Sequence, residues 1–201
     1  MMTFILFLLL QNWPTTSVLD DFNRANGALG ANWSEEGFTA CTISSNTVTG
    51  TADEDINLAV WQGATFSDCE AWISYVTLAD EGLDGSGIQL TVRFDSGTLD
   101  GYFVGWDEVS NTIDFGTVSG GSFSGYPTAF SFDTGDALML RAVGNQISWY
   151  HSDEGAEFVL QDTETDGTYT SGDIGFWVND QTIRVDNFGG GEYIPPPVLI
   201  F

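Results

Sequence analysis

Val18 to Ser34 reads VLDDFNRANGALGANWS, and the reading of this stretch decides the fold class. Val18, Leu19 and Phe22 frame Asp20 and Asp21 as an apolar-acidic strand. Asn26-Gly27 and Gly30 then supply the positive backbone angles that a tight connection needs. Phe22 and Trp33 offer large apolar bodies to pack beneath that connection. A strand, a glycine-built turn and two such aromatics in one short stretch open a β-sandwich.

Outward from it, turn signals and alternating segments recur at short intervals, and no window carries a helical period long enough to make a helix. The spacing predicts strands at Thr39–Ser44, Thr47–Thr51, Ile56–Trp61, Ala71–Leu78, Ile88–Phe94, Tyr102–Asp107 and Thr112–Val118. It predicts further strands at Ala137–Val143, Gln146–His151, Phe158–Gln161, Ile174–Val178 and Thr182–Phe188. Ile88, Leu90, Val92 and Phe94 alternate with Gln89, Thr91 and Arg93, the pattern of an antiparallel sheet with one face buried. Gly144-Asn145 between two such segments predicts a tight hairpin. DEGLDGSG and SGGSFSGYP read as glycine- and serine-rich loops, and strand pattern resumes on either side of each. There is no internal repeat.

The chain has 201 residues, 42% hydrophobic and 14% aromatic, enough to bury one full core. The sequence divides into an apolar N-terminal arm (1–17), one sandwich domain (18–191) and a proline-rich apolar tail (192–201). Twenty-nine acidic residues face four basic ones, all arginine: Arg24, Arg93, Arg141 and Arg184. Such a surface repels phosphate backbones and anionic lipid, which argues against nucleic-acid and polybasic membrane binding. Cys41 and Cys69 lie outside any zinc-binding spacing, and both a bridge and two buried thiols fit them.

Both ends are apolar. Phe4, Ile5, Leu6, Phe7, Leu8, Leu9 and Leu10 form an unbroken run, shorter than the roughly 20 residues of a bilayer span. No basic residue precedes the run and no small-x-small cleavage site follows it, so the expectation is a retained arm; a cleaved signal is the alternative. Tyr193 to Phe201, YIPPPVLIF, sets Val198, Leu199, Ile200 and Phe201 on a stiff polyproline stem. A retained apolar strand needs a partner, either its own sheet or a neighbouring subunit. The first and last strands of such sandwiches often neighbour each other, so both arms are expected to leave from one side.

Asp20 to Trp33, as D-x-F-x-R-x-x-G-x-L-G-x-x-W, resembles the opening of concanavalin A-like (laminin G-like) jelly-roll domains, which occur in phage particle proteins and secreted glycan-binding modules. FDTGDALMLRAVGNQISWY (Phe132 to Tyr150) is similar to paired strands of that class. SGDIGFWV followed by TIRVDNFGGG (Ser171 to Gly191) looks like its closing strands. The resemblance implies an all-β, two-sheet antiparallel jelly-roll sandwich with short extended N- and C-terminal arms. It also implies a structural calcium between first and last strands, with Asp20 or Asp21 and Asp186 as ligands; Arg24 and Arg184 neutralising those aspartates is the competing reading. The class's E-x-D-x-x-E hydrolase motif is absent, Asp53, Glu54 and Asp55 do not replace it, and His151 at a strand end reads as solvated, so the expectation is a non-enzyme.

Strand parity points to a binding face. Arg93, Asp107, Arg141, Tyr150 and Trp177 alternate with Val92, Trp106, Leu140, Trp149 and Phe176, so they are expected to face away from the core. Aromatic planes that stack on sugar rings and Arg or Asp forks to hydroxyls would suit a glycan. In the competing reading Tyr150 and Trp177 cover a second layer and the arginines pair with aspartates. The expected role is a structural or decoration subunit of a virion, of phage type, or of another extracellular assembly. Its partners would be other subunits or further copies of itself, and cell-surface or mucus glycans. A secreted lectin-like module is the alternative.

Overall fold

Alternation along the chain builds strands whose one face is apolar, and two such sheets bury those faces against each other. The computed structural model describes residues 14–35, 39–52, 57–77, 87–107 and 110–195. In chain order its strands are β1 (Val18–Asp20), β2 (Gly27–Ala28), β3 (Trp33–Ser34), β4 (Cys41–Ser44), β5 (Thr47–Gly50), β6 (Asn57–Trp61), β7 (Cys69–Thr77), β8 (Gly87–Asp95) and β9 (Asp100–Asp107). They continue as β10 (Thr112–Ser119), β11 (Ser122–Gly125), β12 (Thr128–Ala129), β13 (Ala137–Val143), β14 (Gln146–Ser152), β15 (Val159–Thr165), β16 (Asp173–Val178) and β17 (Arg184–Glu192). No helix among the described residues is long and apolar enough to cross a membrane.

The first sheet runs β15-β14-β13-β7-β17-β5-β4-β2 with β1 also on β17; the second runs β11-β10-β9-β8-β16-β6-β3 with β12 also on β10. The strand pairings within both sheets are antiparallel, and the architecture is the expected two-sheet jelly-roll sandwich. Between the sheets lie Ile73, Leu138, Leu140 and Ile147 from the first and Leu90, Val92, Val104 and Phe176 from the second. The predicted Gly144-Asn145 hairpin joins β13 to β14, with Val143 opposite Gln146 and Gly144 at φ 56°.

The opening stretch is built around one carboxylate. Asp20 accepts hydrogen bonds from Phe22 N (2.9 Å), Arg24 Nη1 (2.6 Å) and Nη2 (3.0 Å), and Trp33 Nε1 (2.8 Å). These bonds hold Phe22 at φ 50°, a left-handed angle for a fully buried phenylalanine. Phe22 and Trp33 pack 5.9 Å apart between centroids, and Trp33 meets Phe188 of β17 at 5.0 Å. Asp20 itself lies opposite Phe188, so the first and last strands are neighbours.

That pairing brings the described chain ends together. Ile194 N donates to Thr15 Oγ1 (3.3 Å). Thr15 and Thr16 donate through backbone and hydroxyl groups to Oε1 of Glu70, a fully buried carboxylate on the outer side of β7. The two arms therefore start side by side on the outer face of the first sheet. The runs expected to form them, Phe4–Leu10 and Val198–Phe201, lie outside the described residues, as do Asp53–Asp55 and most of DEGLDGSG.

SGGSFSGYP is not simply a loop. Gly120 and Gly121 turn the chain, both at positive φ, and β11 pairs with β10 from Ser122↔Ser119 to Gly125↔Gly116. Small residues hid this strand, because its stability comes from the neighbour it pairs with and not from its own propensity. Cys41 and Cys69 are both buried free thiols.

Candidate functional site

The register of the second sheet sets three transverse rows across its outer face. One is Asp114–Gly105–Gln89–Trp177–Leu58, from β10 through β9, β8 and β16 to β6. On one side of it lies Thr112–Asp107–Gly87, and Asn179 N donates to Gly87 O (3.0 Å) at the end of that row. On the other lies Gly116–Phe103–Thr91–Gly175–Val60.

Glycines at 87, 105, 116 and 175 add no side chain to the outer layer, and their neighbours close in over them. A Cβ on Gly105 would stand 2.4 Å from Gln89 Cγ, and one on Gly87 would stand 2.1 Å from Trp106 O. Gly105, with the Gln89 side chain laid against it, forms the floor of a recess of about 230 Å³ lined by Gln89, Phe103, Asp107, Asp114, Phe123 and Asn179. That volume lies below the ~300–1,000 Å³ of sites for drug-sized ligands, so the recess fits one small ring and not a long chain.

Phe123 of β11 forms its apolar wall, edge-on to Phe103 (4.7 Å) and to Trp177 (4.7 Å). Gln89 Oε1 and Asp114 Oδ1 are buried atoms without a hydrogen-bond partner. Buried acceptors are normally satisfied, and two left open beside one cavity point to a ligand that donates to them. Burial, and next the nearby charge of Asp107, push the Asp114 carboxyl above the usual carboxylate range. Asp107 in turn accepts from Ser110 N (3.1 Å).

The structure does not gather the five residues expected on one polar face. Asp107 alone lines this recess. Trp177 is next to Gln89 in register but wholly buried, with Phe94 (5.8 Å) and Phe123 against its ring. Arg93 sits at a bulge with φ 49°, is 2% exposed, and is taken up by Ser67 O (2.6 Å), Tyr169 O (3.0 Å) and the Asp68 carboxylate (3.4 Å).

Arg141 and Tyr150 come together on the first sheet, as half of a different device. Arg141 pairs with Glu70 at 2.7 Å, and its guanidinium lies 4.9 Å from the Tyr150 ring centroid and 4.7 Å from that of Tyr193. Parity placed Arg141, Tyr150 and Trp177 off the inter-sheet core, but it fails at the Arg93 bulge, where Phe94, expected inward with Val92, packs on Trp177 and Arg93 turns to Ser67 and Asp68; each outer face also carries its own cover. The segment at Thr15–Thr16 and Tyr193 cover the first sheet, and Phe123 covers the second.

His151 is not solvated as expected: its Nε2 lies 2.7 Å from Asp136 Oδ2, and Phe130 and Phe132 meet its ring edge-on. The calcium reading meets a filled carboxylate. Asp20 is saturated by its four bonds; burial pushes it up, but the bonds from Arg24, Trp33 and Phe22 outweigh this and hold it below the usual range. Asp21 caps Asn23 N (3.1 Å), and Asp186 is raised by burial and then by Asp21 and Asp20. Among the described residues no group of three or more His, Cys, Asp or Glu is disposed to hold a metal. Of the arginines proposed to neutralise those aspartates, Arg24 does so, while Arg184 Nη1 donates to Gln181 O (2.6 Å).

Gln89, Phe103, Asp114, Phe123 and Asn179 escaped the sequence reading. The signal for them was outward-facing glycine on neighbouring strands, at 87, 105, 116 and 175, which marks an open floor.

No protein-family model and no curated protein matches the sequence. Solved structures match on fold. The carbohydrate-binding module CBM66 from Bacillus subtilis aligns with TM-score 0.61 at 17% identity, over 80% of this chain and 96% of that one. The exoplasmic/lumenal domain of VIP36 in its Ca2+/Man3GlcNAc-bound form gives 0.58 at 15% identity, over 83% and 86%. Lectin II from Ulex europaeus gives 0.56 at 12%, over 81% and 93%. At these identities the likeness establishes the fold, a concanavalin A-like jelly roll.

Proposed function

We propose that this chain is a non-enzymatic glycan-binding sandwich that takes one sugar ring in the recess over Gly105. The observation that carries the reading is the pair of buried, open acceptors, Gln89 Oε1 and Asp114 Oδ1, beside the apolar wall of Phe103 and Phe123. Sugar hydroxyls donate to such acceptors, and a sugar's CH face packs on aromatic edges. Three solved structures of like fold bear the names of a carbohydrate-binding module, a mannose-containing glycan complex and a lectin, which supports the same reading.

The test is binding of the full chain to an immobilised panel of glycans, beside Gln89→Ala. Saturable binding that falls at least about tenfold in the variant, a change of roughly 1.4 kcal/mol, is the expected result. Binding unchanged by Gln89→Ala would remove the recess from the reading.

A second reading concerns where the module works: as a decoration subunit on an extracellular or virion assembly of phage type, attached to neighbouring subunits by its apolar ends. The contact between Thr15 and Ile194 favours it, because it sets side by side the described residues from which the chain leads into each apolar run, so that both runs can reach one partner. Deleting residues 1–10 should then abolish particle attachment and leave glycan affinity intact. A secreted lectin would keep its affinity and have no particle to lose.

A further inference from the structure

Resting on the glycan reading, we propose that the recess selects a cationic amino sugar, with the ammonium group held between Asp107, Asp114 and the amide oxygen of Gln89. The register carries this. Asp114 and Gln89 stand directly on either side of Gly105, and Asp107 follows Gly105 by two residues on the same face of β9. Three acceptor-bearing side chains thus rim one floor that has no side chain of its own. Two of the acceptor atoms, Asp114 Oδ1 and Gln89 Oε1, are buried and without a hydrogen-bond partner.

A neutral hydroxyl brings one donor, whereas an ammonium brings three donors and a positive charge, and bonds to ionised partners are about twice as strong. The same rim excludes acidic sugars. The chain has no lysine, and its four arginines are engaged elsewhere, with Asp20, with Asp68, with Glu70 and with the carbonyl of Gln181. The single histidine lies against Asp136. A uronate, sialate or sulfate entering the recess would meet two carboxylates and no cation. The net charge of −25 adds a field that concentrates cationic ligands at the surface. The upward push on Asp114 by burial and by Asp107 accords with two carboxylates standing close together at one site.

The experiment is an NMR titration of the 15N-labelled full chain in EDTA near pH 6.5. The ligands are the methyl glycosides of glucosamine and galactosamine, their parent glucosides and galactosides, the N-acetylated forms, and methyl glucuronide. One of the two amino sugars should shift the amides of Gln89, Gly105 and Asp114 at a concentration at least about tenfold below its parent sugar, a difference of roughly 1.4 kcal/mol. Glucuronide should leave them unmoved. Asp114→Asn should remove most of that preference, read as the ratio of amino-sugar to parent-sugar affinity in the same variant, while Gln89→Glu should increase it.

Equal affinity for amino, acetylated and parent sugars would overturn the amino-sugar assignment and leave the glycan recess standing. A preference that survives Asp114→Asn would overturn the assignment of the ammonium to this rim. Absence of shifts with every sugar would overturn both the inference and the glycan reading beneath it.

Discussion

Replacing Glu70 by Gln tests how the chain ends are tied to the sandwich. Glu70 is fully buried on the outer side of β7; Oε2 meets Arg141 Nη2 at 2.7 Å and Nε at 2.8 Å, and Oε1 takes up Thr15 and Thr16. Glutamine keeps the shape and one acceptor for the threonines but removes the charge facing Arg141. Breaking a buried pair by removing one partner costs about 3–5 kcal/mol, because the remaining ion stays desolvated. Two aromatic rings flank the guanidinium in parent and variant alike, so they do not change this difference. The expected loss is therefore about 3–5 kcal/mol in urea unfolding, or a fall in Tm of roughly 2–4 °C for each kcal/mol lost in a chain of this size. The double variant Glu70→Gln/Arg141→Met should recover most of the loss, since it leaves no buried charge unpaired. A single variant within about 1 kcal/mol of the parent would refute the reasoning, and would mean that Arg141 finds enough solvent or aromatic contact to dispense with Glu70.

The thiols should be inert in the folded chain: burial pushes Cys69 up to about 12 and Cys41 higher still. Ellman's reagent at pH 8 should then label both only after denaturation, and rapid labelling of the native protein would contradict their burial. Asp20, held below the usual carboxylate range, contributes stability that is complete above about pH 4, the unfolded carboxylate value, and is lost as pH falls through its lower folded value. Asp20→Asn should flatten the acid limb of a Tm-against-pH curve, and an unchanged limb would exclude Asp20 as its source. Asp114 works with the opposite sign: its raised folded value penalises the native state at neutral pH and the penalty is relieved on acidification. Asp114→Asn should stabilise the protein slightly at pH 7, by under about 1 kcal/mol, with the gain shrinking towards acid pH. Gly189→Ala should cost about 1–3 kcal/mol in urea unfolding, because a Cβ there would stand 2.1 Å from the Trp72 ring. A neutral result would mean that Trp72 swings aside freely.

The fold was legible because its signals are local. Phe22, Trp33 and the glycines between them announce the opening turn, and Gly144-Asn145 announces a hairpin; both depend on neighbours in sequence. The pairing of β1 with β17 was inferred from family likeness and has no local signature, yet it decides where both ends emerge. β11 was illegible for the converse reason: Ser122, Ser124 and Gly125 carry little strand propensity, and only pairing with β10 makes them a strand. The site suffered twice from this. Phe123, its apolar wall, sat in a stretch read as loop, and outward parity was equated with exposure. Trp177 shows the error, since it faces outward from β16 and is still wholly buried under Phe123.

Under the proposed function, the two covered outer faces do different work. On the first sheet the cover is made of the described chain ends, Thr15, Thr16 and Tyr193 around the Glu70–Arg141 pair, so this face is where the terminal runs originate. On the second sheet the cover stops at Phe123, and beyond it the glycine floor, Gln89, Asp107 and Asp114 remain in a recess. The sandwich core separates the two. A partner bound through the chain ends therefore leaves the recess on the far side open. Attachment and recognition can then be lost independently: a Glu70 variant that loosens the ends should leave sugar binding unchanged, and a Gln89 variant that empties the recess should leave the ends in place. Loss of both functions on either single change would show that the two faces are coupled through the core, and would count against a division of labour between them.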